Sequence, residues 1–399
     1  MKHCVIILDG AAGWPLDALG GKTTLTAART PHLDALAREG IVGLAVTVPE
    51  GQEPSSSTAC TSILGYDPVA DRVGRGAIEA ASMGVTLAAD EVALRMNLVN
   101  IQHGVMRSYA CGRIPTDESR AIVGELSRAL ATPIFTFHPG VAYRHILVVK
   151  GHPELVEAAY AAPHDITDKP VAGHLPAGPG SALLLDLMER ARELLHRSPV
   201  NARRAERGQL PATDIWPFWP GQAPRGMVPF HKARGLRGAM TSGVDLLNGL
   251  AVLAGLTRLH VAGVSDGPDN DYAAQAEGGL AALADHDVVI IHVESPDEAG
   301  HAGDTDAKVA AIEAIDREVV SRVRAAAARF AGEGGLRILA MPDHPTPVAL
   351  KTHVREPVPF VLAGPGIASN GSDRYDEAAA AATGLTVDPG RLVMDRLLG

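Results

Sequence analysis

Short apolar runs recur near both ends of the chain, at Cys4–Leu8, Ile41–Val48, Arg258–Val264, Val288–Val293 and Leu336–Met341. Such runs predict strands buried on both faces, as in parallel sheets. Helical stretches separate them. Pro31–Glu39 carries proline at its first position, and a second helix begins near Ser57, after Pro54-Ser55-Ser56. Ala273–Leu283 and Asp306–Ala331 follow. Strand–helix alternation of this kind predicts a doubly wound α/β domain.

The middle of the chain reads differently. Glu91–Asn100 and Arg144–Val149 predict strands, and Thr116–Ala129 and Ser181–Arg197 predict helices. The expected organisation is one α/β domain, residues 1–84 with 212–399, interrupted by a smaller α+β domain over 85–211. A Pro- and Arg-rich stretch from Pro199 to Pro229 holds six prolines, which exclude a continuous helix or a central strand. It reads as a linker whose Trp216 and Trp219 pack on a domain.

Composition narrows the function. The 399 residues carry a formal net charge of −10 and only 4% aromatics, against both a basic nucleic-acid footprint and a base-stacking platform. Cys4, Cys60 and Cys111 lie too far apart for a disulfide framework or a CxxC metal site, which fits a reducing compartment. The first residues, MKHCVIILDG, lack the pattern of a signal peptide, and no uncharged apolar stretch approaches the ~18 residues of a membrane helix. A cytoplasmic protein with no membrane or nucleic-acid partner is expected.

Hard-ligand residues follow the predicted strands directly. Asp9 follows Cys4–Leu8; Asp297 and His301 lie in SPDEAGH after Val288–Val293; Asp343 and His344 lie in MPDHPTP after Leu336–Met341, with His353 ten residues later. In open α/β sheets the carboxyl ends of strands line the ligand crevice, so these side chains can converge there. Asp297 and His301 are four apart, and one helical turn points both the same way. A mixed Asp/His set suits Zn²⁺ or Mn²⁺ better than Ca²⁺. Each pair alone is equally well a helix cap or a polar contact. The segment PSSSTACTSILGYDP, residues 54–68, adds hydroxyls at a helix N-terminus. Their plain reading is capping. Their chemical reading is a nucleophile in a positive field, activated by a nearby metal. Gly20-Gly21-Lys22-Thr23 lacks the glycine at position 16 that a phosphate loop needs, and no GxSxG elbow occurs.

The assembled set resembles the cofactor-independent phosphoglycerate mutases of the archaeal type, in the alkaline phosphatase superfamily. The matching blocks are IILDG (6–10), SILGYDP (62–68), GRGAIEA (74–80), RMNLVN (95–100), GVAYRHILVV (140–149), PHDITDKP (163–170), DEAGH (297–301) and DHPTPVALKTH (343–353), closed by PVPF (357–360). The resemblance implies an alkaline phosphatase-like doubly wound core with an inserted substrate-binding or transferase domain. It implies two divalent metal ions, Mn²⁺ foremost, with Zn²⁺, Mg²⁺ or Co²⁺ as alternatives. One would be held by Asp297, His301 and His353, and the other by Asp9, Ser56, Asp343 and His344. Ser56 would be the nucleophile, passing through phosphoserine as 2- and 3-phosphoglycerate interconvert. The family usually reads Gly-Ser-Asp where this chain reads Ser55-Ser56-Ser57, so Ser55 and Ser57 stay open as rivals. Substrate contacts are implied for Arg75, Arg144, His145, His164, Asp165 and Lys351. The family often carries lysine where this chain has Asn248 and Gln275. The expected partner is a small phosphorylated acid, and a homo-oligomer is left open. Three other readings share the residues: a homoserine kinase-like phosphotransferase, a phosphatase or phosphonate hydrolase, and a non-catalytic metal protein.

Overall fold

The computed structural model describes residues 1–399 except Arg72 and Arg225. The chain divides into two compact units, Met1–Arg72 with Gly226–Gly399, and Val73–Arg225.

The first unit is built on an eight-stranded mixed sheet. Its spatial order is Thr386–Val387, Ile41–Ala45, Val358–Ala363, Leu336–Met341, Lys2–Leu8, Val288–Val293, Gly238–Thr241 and Thr257–Arg258. Lys2–Leu8 pairs in parallel with both Val288–Val293 and Leu336–Met341. All three are apolar and almost wholly buried, as central parallel strands require. Val358–Ala363 runs antiparallel to both neighbours, so the sheet is mixed. The carboxyl ends of the three central strands lie side by side, and the loops that leave them carry the Asp and His residues picked out above.

Two expectations in this unit need correction. Arg258–Val264 is not a strand of seven residues: only Thr257–Arg258 pairs, and the chain then turns through Gly263 at φ 83°. Asp306–Ala331 is not one regular helix. Thr305–Ile315 and Ser321–Ala326 are joined by a π turn, Asp316–Val320. The turn presents buried Asp316, whose carboxylate accepts from the His32 and Leu33 amides at the start of the Pro31–Glu39 helix. That pairing satisfies two of the orphan N–H groups of a helix start.

The second unit is α+β. Glu91–Gln102 pairs antiparallel with Arg144–Lys150 on one side, and with Val105–Ser108 and Asp214–Gln222 on the other. Helices Thr116–Leu130 and Ser181–Leu195 cover its apolar face. The linker reading of Pro199–Pro229 is overturned. Pro199–Glu206 is a helix with proline at its first turn, and Asp214–Gln222 is an outer strand bearing Pro217 and Pro220. Proline is tolerated there because one side of the strand has no ladder to feed. The register slips between Leu94 and Arg95, leaving Trp219 as the extra residue of a bulge at φ 48°.

The unit also begins and ends farther out than 85 and 211. The Arg75–Ser82 helix belongs to it, because Gly74 and Gly76 let backbones meet: a Cβ on Gly76 would lie 2.2 Å from the Ala93 carbonyl oxygen. The Asp214–Gln222 strand ties in the far end. Among the described residues no helix is long and apolar enough to cross a membrane.

Candidate active site

Asp9, Asp297, His301, Asp343, His344 and His353 converge at the carboxyl ends of the central strands. Asp9 follows Lys2–Leu8 directly. The Ser295–Ala302 helix places Asp297 and His301 on one face, with their Oδ2 and Nε2 atoms 3.1 Å apart. His353 Nε2 lies 3.5 Å from the same Asp297 oxygen and 2.9 Å from His301 Nε2. His344 Nε2 lies 3.3 Å from Asp343 Oδ2 and 3.7 Å from Asp9 Oδ1. Among the described residues three groups have the spacing to hold an ion: Asp297 with His344 and His353, Asp9 with Asp343 and His344, and Asp9 with His292 and Glu294. Glycine is required at position 10. It sits at φ 60°, and a Cβ there would lie 2.3 Å from Asp297 Oδ1.

Ser56 joins this set and its neighbours do not. It opens the Ser56–Ile63 helix, and its Oγ lies 3.2 Å from His344 Nε2. Ser55 is the N-cap: its Oγ accepts from the Thr58 amide and contacts the hydroxyls of Ser57 and Thr58. The cap geometry consumes the Ser55 and Ser57 hydroxyls and leaves the Ser56 hydroxyl facing the ligand cluster.

Each ligand is preset from behind. His301 Nδ1 donates to the Lys351 carbonyl at 3.0 Å and His353 Nδ1 to the Pro54 carbonyl at 3.2 Å. His344 Nδ1 lies 3.3 Å from Thr346 Oγ1, whose own proton goes to Asp297 Oδ1. All three rings therefore turn Nε2 toward the centre, with the tautomer set by the other nitrogen. The carboxylates follow the same rule. Asp297 gives Oδ1 to Thr346 and keeps Oδ2 inward. Asp343 Oδ1 accepts from the Gly10 and His344 amides, while its Oδ2 faces His344 and the Cys60 thiol. Asp9 Oδ1 is buried with no hydrogen-bond partner.

These are the features of a cation site. Buried carboxylates lacking a counter-charge are costly, and an inward-facing oxygen with no donor wants a positive ligand. Without metal, protons fill part of that need. Burial, then Asp343 and Asp297, pushes the Asp9 carboxyl well above its usual range. The Asp297 hydrogen bond raises His301 to about 9. Asp297 itself stays below the usual carboxylate range, because the bonds from His301 and His353 outweigh its burial. The residues present thus fit hard divalent ions with mixed O and N ligands.

Comparisons with known proteins point to a family. The family model described as 2,3-bisphosphoglycerate-independent phosphoglycerate mutase matches residues 37–201. A Geobacter sulfurreducens protein named a probable enzyme of that kind is 44% identical over 100% of both chains. One from Methanothrix thermoacetophila, with that name, is 44% identical over 96% of both. The chain belongs to the 2,3-bisphosphoglycerate-independent phosphoglycerate mutase family. Among solved structures, the cofactor-independent phosphoglycerate mutase of Thermoplasma acidophilum is 26% identical, with a TM-score of 0.72 covering 100% of this chain and 99% of that one. A Pyrococcus horikoshii protein is 25% identical with a TM-score of 0.81, covering 100% and 97%.

The substrate candidates of the second unit divide into two kinds. Arg75, half exposed, pairs with Glu79 and stacks its guanidinium 3.8 Å over the Trp219 ring. His164 sets its ring edge against Trp219 at 5.5 Å, and Asp165 beside it is exposed. Arg144 is exposed at the start of its strand. Arg95, which sequence reading passed over, lies among these groups, buried and paired with Glu79. His145 is different: it is buried, and its Nδ1 accepts from the Gly140 amide. In the first unit, Lys351 contributes its carbonyl to His301, and its side chain is exposed.

Burial, then Arg95 and Arg120, lowers His145 to about 3. The native state therefore binds fewer protons than the unfolded chain between pH 3 and the ordinary histidine value near 6.5. Stability from this group is full above that window and is lost as pH falls through it. From pH 7 to pH 5 the loss is about 2 kcal/mol. His145→Asn keeps an acceptor for Gly140 without titrating, and should flatten that dependence. Urea unfolding followed by tryptophan fluorescence at the two pH values checks it; equal slopes in both proteins would contradict it.

Sequence reading also missed His292, Glu294, Ser242, Thr346 and Lys308. Lys308 is buried, and its ammonium donates to the carbonyls of Ala12 and Thr346, clamping the loops that follow Asp9 and His344. Asn248 and Gln275 are buried too. Asn248 donates to the Ser242 carbonyl, and Gln275 to the His292 carbonyl while accepting from Asn270. Both amides are shut off from solvent, with Asn248 Oδ1 left without a hydrogen-bond partner among the described residues.

Proposed function

We propose that the chain is a metal-dependent phosphoglycerate mutase that interconverts 2- and 3-phosphoglycerate through phosphoserine at Ser56, without 2,3-bisphosphoglycerate. The observation that carries this reading is the Ser56 hydroxyl, singled out from its neighbours and set 3.2 Å from His344 among six further ligands. Asp297, His301 and His353 would hold one divalent ion, and Asp9, Ser56, Asp343 and His344 the other. When bound, such ions supply the positive charge that favours an ionised serine and a bound phosphate.

The chain's own residues do the rest. Ser55 caps the helix that Ser56 opens. Ser56 Oγ gives up its proton and attacks phosphorus; its O–P bond forms as the bond to the glycerate oxygen breaks, and that oxygen takes up a proton. The glycerate takes the phosphoryl group back on its other hydroxyl, and Ser56 is regenerated. In the proposal the guanidinium groups of Arg75 and Arg144 are assigned to the acid's anionic groups, whose geometry they match, with His164 and Asp165 beside them. The buried Arg95–Glu79 pair holds this surface in place.

The test is turnover of 3-phosphoglycerate by metal-stripped protein after adding back Mn²⁺, with no 2,3-bisphosphoglycerate present. Enolase-coupled product should appear only with metal, and inorganic phosphate should stay at background. Phosphate release without 2-phosphoglycerate would replace the mutase by a phosphatase. No reaction at all, with ions bound, would direct the search to other small acids, including phosphoryl transfer from a nucleotide.

A further inference from the structure

We propose that His292, locked in one tautomer by Ser242, is the positioning residue for Asp9, so that Asp9 offers a single oxygen, Oδ1, to a divalent ion. The inference rests on the two-ion reading above and adds a residue that reading does not use. His292 belongs to the apolar run Val288–Val293 and is fully buried. Its Nε2 lies 2.6 Å from Asp9 Oδ2, and its Nδ1 lies 3.0 Å from Ser242 Oγ.

The hydrogen-bond directions settle one another. Ser242 Oγ accepts from the Val244 amide and keeps a proton to give to His292 Nδ1, and Asp9 must be ionised to hold a cation, so its Oδ2 can only accept from the ring. The ring proton then sits on Nε2 and is donated to Asp9 Oδ2. That oxygen is spent, and the partnerless Oδ1 is left facing His344. The ring is itself held: Gln275 donates to the His292 carbonyl at 2.7 Å, Asn270 donates to Gln275, and Asn248 donates to the Ser242 carbonyl. The amides of Asn248 and Gln275 are thus part of this support.

A rival use of the same residues is a third ion held by Asp9, His292 and Glu294, whose ligand atoms all lie within 4.8 Å of one another. That use needs the Nε2 lone pair, which the Ser242 relay denies. Outer partners of this kind orient a ligand and sharpen its affinity without touching the metal.

The test is Mn²⁺ binding to the full chain by titration calorimetry and equilibrium dialysis, for wild type, His292→Leu, His292→Gln and Ser242→Ala. Wild type should bind two ions. His292→Leu should weaken one of them by roughly 10- to 100-fold and leave the other unchanged. His292→Gln keeps an N–H at the same reach and should recover most of that loss. Ser242→Ala, which touches neither Asp9 nor the ion, should weaken the same ion by a smaller factor. A merely structural role would move both ions together, or none. Unchanged affinities in His292→Leu overturn the inference; should that variant not fold, unchanged affinities in Ser242→Ala do so. Three ions in wild type, with one lost in His292→Leu, make His292 a ligand and also overturn it. Fewer than two ions in wild type bring down the two-ion reading and the inference together.

Discussion

Ser56→Ala should lose turnover by roughly four to six orders of magnitude while keeping its fold and close to two bound ions. The change removes one oxygen. Asp9, Asp343 and His344 remain around the ion that Ser56 would share, and Ser55 still caps the helix through the Thr58 amide. The hydroxyls of Ser55 and Ser57 are turned to each other and do not stand in for it. Ser55→Ala and Ser57→Ala should each cost far less. Losing the Ser55 cap weakens the helix start by about 1 kcal/mol. Steady-state kinetics on the three variants, with metal content measured on the same samples, checks this. A Ser57→Ala loss as deep as that of Ser56→Ala would move the nucleophile.

Asp297→Asn should abolish turnover by a different route. Asp297 Oδ2 is the anion that His301 and His353 share, and its Oδ1 is held by Thr346. An amide keeps the shape and the Thr346 contact but removes the charge. The ion assigned to Asp297, His301 and His353 should then bind roughly 100-fold more weakly or worse, a larger loss than removal of an outer partner brings. The ion assigned to Asp9, Asp343 and His344 would keep those three residues and should be retained, giving a stoichiometry of one. Equilibrium dialysis against Mn²⁺ reads this directly. Two ions retained at unchanged affinity would contradict the assignment.

Much of the site was legible because strand ends announce themselves. Asp9, Asp297 and Asp343 each follow a run of apolar residues, and the structure sets those runs side by side at the middle of one sheet. What remained open is what depends on side-chain direction. The resemblance favoured Ser56 among three consecutive serines but left Ser55 and Ser57 as rivals; the cap geometry is what sets Ser56 apart from them. His292 was hidden because VVIIHV reads as a core strand, and a histidine within it reads as a core residue. Its role appears only when Asp9 and Ser242 arrive from other strands. Thr346 and Lys308 were hidden for a similar reason, since each acts through contacts far away in sequence.

The fold was legible to a comparable depth. Alternating strands and helices place the two units in order, but not where one ends. Prolines suggested a linker over Pro199–Pro229, whereas an outer strand accepts them without losing a ladder bond. The apolar letters of Arg258–Val264 suggested a strand that Gly263 turns away. In both places local composition was outweighed by what lay alongside.

The most direct measurement is the covalent state of Ser56 during turnover. The metal-loaded protein is mixed with 3-phosphoglycerate, quenched in acid within the first turnovers, and its peptides are mapped by mass. The account predicts one added phosphate on the peptide beginning the Ser56–Ile63 helix, localised to Ser56, absent in metal-stripped protein, and discharged as phosphoglycerate when glycerate is added before the quench. Ongoing mutase turnover with no phosphate on Ser56, or with phosphate on Ser55 or Ser57 instead, would contradict it.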